Sequence, residues 1–188
     1  MARSIKMVLA GEGGQGVQSV AEIIVEAANE EGRECLYIPN FGVEQRGGVS
    51  VAFAQISDEV IGAPKFDIGD VVVALSERSV HRTKQYVGPE TIFMFDSSID
   101  ISEKDLPQNA AKVLSIPAVE ISKNELHPRV FNIIIMGAVL GATEVISRED
   151  AKKAIESKLS AKFEKQPNLR DLNFSAIERG FELVTKAG

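Results

Sequence analysis

Gly11-Glu12-Gly13-Gly14-Gln15-Gly16 matches the pattern G-x-G-x-x-G and sits between a short apolar run, Ile5 to Ala10, and a segment of helical periodicity. The chemistry such a loop supports is phosphate binding. Stripped of side chains, it lets backbone amides approach a pyrophosphate at a helix N-terminus, where the peptide dipoles favour an anion. A dinucleotide site also needs an acidic residue about 20 positions further on, at the end of the second strand, to hold a ribose. Here that strand ends in Ile38-Pro39-Asn40, and the nearest acid, Glu34, precedes it. A Walker A loop is excluded, because Gly16 is followed by Val17 and not by Lys and Ser or Thr. Close packing of a helix on a sheet needs some glycine by itself. Gly14, Gln15 and Gly16 together exceed that need, which points to close approach by a ligand phosphate or by another protein's backbone.

A second unusual stretch is Phe41-Gly42-Val43-Glu44-Gln45-Arg46-Gly47-Gly48. Following the second strand, it belongs at the carboxyl edge of the sheet, beside the first glycine loop, where open α/β sheets meet ligands and partners. Arg46 next to Gly47 and Gly48 could offer a bidentate guanidinium to a phosphate or carboxylate; the plainer alternative is a solvated arginine paired with Glu44. Asp67-Ile68-Gly69-Asp70 resembles the start of a thiamine-diphosphate and Mg²⁺ motif, but Val71 stands where its third position needs glycine. These two acids are better read as punctuation before a core strand. His81 lies among Arg78, Arg82 and Lys84 on a helix face, and His127 precedes Pro128 in a connection. Cys35, at a strand start, reads as a small buried hydrophobe. No catalytic residue and no metal ligand is assigned.

Composition narrows the field further. The chain has 188 residues, with 21 Lys+Arg against 27 Asp+Glu, a net charge of −6, and only one cysteine and two histidines. A Cys-ligated iron–sulfur cluster or a structural zinc site, each needing about four ligands, cannot be built from that inventory. Mild acidity argues against nucleic-acid binding. The longest apolar stretch, Phe131 to Ile146, includes Asn132, Thr143 and Glu144 and is shorter than the ~20 residues of a membrane span. With no targeting segment visible, a cytoplasmic protein is expected.

The elements that must position the two loops follow from hydrophobic periodicity. Strands are expected at Ile5–Ala10, Cys35–Ile38 (stopped by Pro39), Val49–Ile56, Val71–Leu75, Thr91–Phe95 and Lys112–Ile116, with a weaker strand or turn at Val60–Gly62. Helices are expected from Val17 to a stop at Gly32, from Glu77 to about Tyr86 behind a Ser76 cap, and over Asn132–Ile146. Two more follow, one opening at Ser147 and running to about Ala161 and one over Phe174–Thr185. The alternation predicts an α/β fold: a doubly wound, mostly parallel sheet with helices on both faces, residues 1–188 forming a single domain.

In order and spacing, Gly11-Glu12-Gly13-Gly14-Gln15-Gly16-Val17, then Glu44-Gln45-Arg46-Gly47-Gly48, then Asp70 to Leu75 resemble the gamma subunit family of 2-oxoacid:ferredoxin (acceptor) oxidoreductases. Asn132, Met136-Gly137-Ala138 and Gly141 resemble that family's buried helix. The resemblance implies a non-catalytic subunit, inactive by itself, of an enzyme that oxidatively decarboxylates a 2-oxoacid. Thiamine diphosphate and Mg²⁺ would be held by alpha and beta subunits, iron–sulfur clusters would lie on other parts, a delta subunit would join some assemblies, and coenzyme A would accept the acyl group in most members. Electrons would leave to ferredoxin or a similar acceptor. On this resemblance Gly11, Gly13, Gly14, Gln15, Gly16, Arg46, Gly47 and Gly48 would face partner subunits near the cofactors, touching thiamine diphosphate, coenzyme A or protein alone. Two other readings stand beside it: a stand-alone dinucleotide-binding oxidoreductase and a flavodoxin-like scaffold.

Overall fold

Alternation along the first strand decides the layering of the molecule. In β1 (Ser4–Glu12), Met7 and Leu9 face one side of the sheet, Val8 and Ala10 the other, and all four are buried. A strand covered on both faces belongs in the middle of an α/β sheet. The structure, a computed structural model, describes residues 4–41 and 48–185. After β1 come α1 (Val17–Glu30), β2 (Glu34–Asn40), β3 (Val49–Ser57), β4 (Val71–Ala74), α2 (Glu77–Thr83), β5 (Ile92–Asp96) and β6 (Lys112–Ile116). The chain ends in four helices, α3 (Ala118–Asn124), α4 (Phe131–Thr143), α5 (Arg148–Lys165) and α6 (Asn168–Thr185).

The strands form one mixed sheet in the order β2-β3-β1-β4-β5-β6. β1, β4, β5 and β6 are parallel, and β3 runs antiparallel to both of its neighbours, β1 and β2. The fold is the expected α/β one, a mostly parallel sheet with helices on both faces, but β3 lies between β1 and β2, which a simple strand–helix–strand crossover does not foresee. The helices are also shared unequally. Among the described residues, the core on one face takes in α1, α3, α4, α5 and α6; the other face carries only α2, with connecting residues such as Phe66, Tyr86 and Leu106 filling the remainder.

Several local expectations are corrected. β2 continues through Pro39 to Asn40, because β2 is an edge strand and can spare the ladder hydrogen bond that proline cannot donate. Val60–Gly62, expected as a weaker strand or turn, takes no regular structure; both edges of β3, the strand it follows, are already taken by β1 and β2. The short helix α3 has too little periodicity to be read from sequence, and α6 begins at Asn168, ahead of the expected Phe174. The caps follow the sequence closely. The Ser76 hydroxyl accepts from the Ser79 amide, and the Ser147 hydroxyl accepts from the Asp150 amide at 3.1 Å.

Helices α4 and α6 form the densest contact. α4 is buried nearly all round, and Gly137 lies against Gly180 of α6 so closely that a Cβ on Gly137 would fall 2.9 Å from the Gly180 Cα. Glycine inside a helix costs about 1 kcal/mol relative to alanine. Close approach of the two backbones offsets it here.

Candidate functional site

The chain leaves β1 towards β2 on one side and returns to β4 on the other, so the β1/β4 boundary is the topological switch point of the sheet. The first glycine loop lies at the carboxyl end of that boundary. Two of its glycines have a backbone reason: Gly14 has φ 90° and Gly16 has φ 75°, the left-handed region that side chains disfavour. Gly11 is confined by its own loop, since a Cβ there would meet the Gln15 Oε1 at 2.7 Å. Gly13 has neither reason, and a Cβ on Gly13 or Gly14 would meet nothing within 4 Å. Among the described residues, nothing accounts for the bareness of the exposed apex.

Gln15 is the brace. Its Oε1 accepts from the Glu12 amide at 2.6 Å, and its Nε2 donates to the Leu75 carbonyl at 2.7 Å. The Leu75 amide in turn donates to the Ala10 carbonyl at 2.9 Å, so the exit of β4 is gripped from both sides. The loop thus carries a bare apex on a rigid base. Behind it, α1 begins with no side-chain cap and no acid in its first turn. The dipole end of a 14-residue helix is left unneutralised towards the loop.

The second loop enters the same edge. Asn40, before it, pairs with Val51; Val49, after it, pairs with Glu12, so Gly48 lies beside the start of the first loop. Arg46 and Gly47 lie outside the described residues. The far side of this loop is tied to α1 by residues that carry no motif. The Gln18 Nε2 donates to the Ser50 hydroxyl at 2.7 Å and to the Val51 carbonyl at 3.1 Å, while the Tyr37 hydroxyl donates to the Gln18 Oε1 at 2.6 Å. Burial, followed by the Glu22 carboxylate, pushes the Tyr37 hydroxyl up to about 12. Asn132, at the start of α4, packs on Gly16, where a Cβ would meet its Nδ2 at 2.6 Å.

Of the polar residues named from the sequence, Asp70, His81 and His127 have structural partners, as does the buried Asp96 at the end of β5. Asp70 accepts from the Lys6 amide at 2.6 Å, fixing the start of β4 against β1. Asp96 is buried, and its carboxylate is used by the Ser98 amide and hydroxyl and by the Val119 amide. The His81 Nε2 sits 3.9 Å from Glu77 on an exposed helix turn. The His127 Nδ1 accepts from the Arg129 amide at 3.1 Å. Burial raises the Cys35 thiol, which keeps it protonated and a poor nucleophile. Among the described residues, no three His, Cys, Asp or Glu side chains are placed to hold a metal ion, and no helix is long and apolar enough to cross a membrane.

Comparison with known proteins matches residues 6–183 to the family described as pyruvate ferredoxin/flavodoxin oxidoreductase. The chain is 33% identical over 180 residues to the ketoisovalerate oxidoreductase subunit VorA of Methanothermobacter thermautotrophicus, a match covering 95% of this chain and 36% of that relative. The chain therefore spans about a third of the length of that relative. It is also similar to the crystal structure of the keto/oxoacid ferredoxin oxidoreductase gamma subunit of Geobacter sulfurreducens, with a TM-score of 0.82, 26% identity and 98% of each chain covered. The 2-oxoglutarate:ferredoxin oxidoreductase of Magnetococcus marinus, solved with 2-oxoglutarate, coenzyme A and succinyl-CoA bound, shares the fold at a TM-score of 0.87 and 23% identity, over 98% of this chain and 31% of that one.

Proposed function

The chain belongs to the pyruvate ferredoxin/flavodoxin oxidoreductase family, as a gamma-type member, and on that premise we propose that it serves as the non-catalytic gamma subunit of a multi-subunit 2-oxoacid:ferredoxin (acceptor) oxidoreductase. In this reading alpha and beta subunits hold thiamine diphosphate and Mg²⁺, the iron–sulfur clusters lie on other parts, and a delta subunit joins some assemblies. The oxidised acyl group passes to coenzyme A, and electrons pass to ferredoxin or a similar acceptor. The chain's donors fit that division of labour: one cysteine cannot ligate a cluster.

One observation carries the reading. The β1–α1 loop is braced at its base by Gln15 and bare at its apex, where among the described residues no backbone or packing requirement accounts for Gly13. Such a surface suits close approach of a partner backbone or a cofactor phosphate, with the uncapped N-terminus of α1 behind it favouring negative charge. Gly11, Gly13, Gly14, Gln15, Gly16 and Gly48, together with Arg46 and Gly47, are accordingly proposed as the face turned to partner subunits and cofactors. The stand-alone dinucleotide reading is less well supported. β3 separates β2 from β1, so the end of β2, which carries no acid, is not adjacent to the loop as a ribose site requires.

Affinity purification from the native cell, followed by assay with a panel of 2-oxoacids, coenzyme A and a low-potential acceptor, tests the proposal. The expected result is co-purification with thiamine-dependent and cluster-bearing subunits and 2-oxoacid-dependent reduction of the acceptor. A complete enzyme that assembles and turns over without this chain would sink it.

A further inference from the structure

We propose that a cavity on the helical face, separate from the glycine loops, binds a small amphiphilic carboxylate with its apolar tail inward. The cavity lies between the first half of α1, the start of α4, the end of α5 and the start of α6, and has a volume of about 320 Å³. That falls at the small end of ligand sites, which run from about 300 to 1,000 Å³. Its floor is apolar, formed by the buried side chains of Ile23, Val130, Ile133 and Phe163.

Around that floor stand polar groups with nothing to bind. Ser19, Asn132, Arg129 and Lys162 line the cavity, and among the described residues none of their side chains has a hydrogen-bond or ion-pair partner. Several other cations on these helices are paired. Arg148 meets Glu178 at 2.9 Å, Lys158 meets Glu26 at 2.7 Å and Arg170 meets Glu156 at 2.6 Å. The chain carries a net charge of −6, yet among the described residues no Asp or Glu lines this cavity, while two exposed cations do. An apolar floor with unpaired cations at its margin recognises an anion that carries a hydrocarbon tail. The guanidinium of Arg129 suits the planar geometry of a carboxylate.

The cavity also shares a wall with the first glycine loop. Asn132 lines it and packs on Gly16, so an occupant that engages the Asn132 amide touches the residue that backs the loop. This site stands on its own observations and does not depend on the reading of the loops.

The test is titration of the full, ¹⁵N-labelled chain with acetate, butanoate and hexanoate, and with 1-hexanol and hexylamine as the uncharged and cationic controls. The side-chain amides of Asn132 and Asn173 and the backbone amide of Ile133 report on the cavity. Saturable shifts confined to these groups are expected. Affinity should rise by up to roughly fourfold for each methylene buried, and hexanoate should bind more tightly than hexanol and far more tightly than hexylamine. Combining Arg129→Gln with Lys162→Gln, both at exposed positions, should weaken hexanoate by about tenfold and leave hexanol unchanged. Equal binding of hexanoate and hexylamine, an affinity independent of tail length, or a folded double variant that binds hexanoate as tightly as the parent would overturn the proposal. So would the absence of saturable binding by any carboxylate, with the same amides shifting only when partner subunits are added; that outcome would assign the cavity to a polypeptide segment.

Discussion

A Cβ built on Gly137 would fall against the Ile177 carbonyl and 2.9 Å from the Gly180 Cα, whereas one built on Gly13 would meet nothing within 4 Å. The two regions use one residue type under opposite constraints. At the α4–α6 crossing the missing side chain is replaced by the rest of the molecule, and two helix backbones come together in the space it leaves. At the apex of the β1–α1 loop the space stays open. Glycine in a core is explained by what touches it; glycine on a rigid, exposed loop is left to be explained by what arrives. That contrast separates the part of the chain that makes the fold from the part proposed to make the complex.

The largest effect expected from testing the contrast is at the crossing. Gly180→Ala, whose Cβ would fall against the Ile134 carbonyl and 2.7 Å from the Gly137 Cα, forces the helices apart. It should cost about 3 kcal/mol, the upper end for overpacking a core. In a domain of this size that lowers the melting temperature by roughly 6–12 °C, read by circular dichroism. A variant melting like the parent would remove the basis of the comparison.

Next is the base of the loop. Gln15→Leu removes the acceptor for the Glu12 amide and the donor to the Leu75 carbonyl, and should cost about 2 kcal/mol. Faster amide hydrogen exchange at Glu12 than in the parent would place the loss at the brace; unchanged exchange would show that the loop holds its shape without it.

A smaller effect concerns the anchor of the second loop. The Tyr37 hydroxyl is pushed up to about 12 in the folded chain, above the ordinary tyrosine value near 10. The unfolded chain therefore loses this proton first, and stability that is fully present below pH 10 falls as pH rises towards 12. Tyr37→Phe should flatten that part of the alkaline stability profile in urea titrations at stepped pH. An identical slope in parent and variant would exclude Tyr37 as its source.

The smallest effect on stability is the sharpest test. Gly13→Ala should leave the isolated chain within about 0.5 kcal/mol of the parent, because no described residue meets the new methyl group. The same variant should assemble less well with partner subunits or turn over more slowly with them. Full assembly and turnover would show that the bare apex has no visitor.

Much of the fold was legible because it rests on local pattern. Lys112–Ile116 was expected as a strand and is β6 to the residue, and the Ser76 and Ser147 caps close on the amides three residues ahead. Pro39 misled because the rule that proline ends a strand depends on whether the strand is internal, and β2 lies at an edge. Val60–Gly62 misled for the complementary reason: both sides of β3, the strand it follows, are already taken by β1 and β2. The loop glycines and Gln15 were singled out from the sequence, but the brace was not visible there, since Gln15 and Leu75 are 60 residues apart and one partner is a backbone carbonyl of no particular residue type. Gln18 and Tyr37 gave no signal, being ordinary residues within a helix and a strand.

The sequence alone determined the alternating elements, the two glycine-rich loops, and a donor inventory too small for cluster or zinc chemistry. These follow from periodicity and counting, which need no knowledge of distant contacts. Only the tertiary structure decided that β3 enters between β1 and β2, that Gly137 and Gly180 are filled from within while Gly13 is not, and that Asn132 stands between the glycine loop and a cavity. Each of these depends on which remote segments share a space. A glycine reads the same in the chain whether a backbone or open solvent lies where its side chain would be.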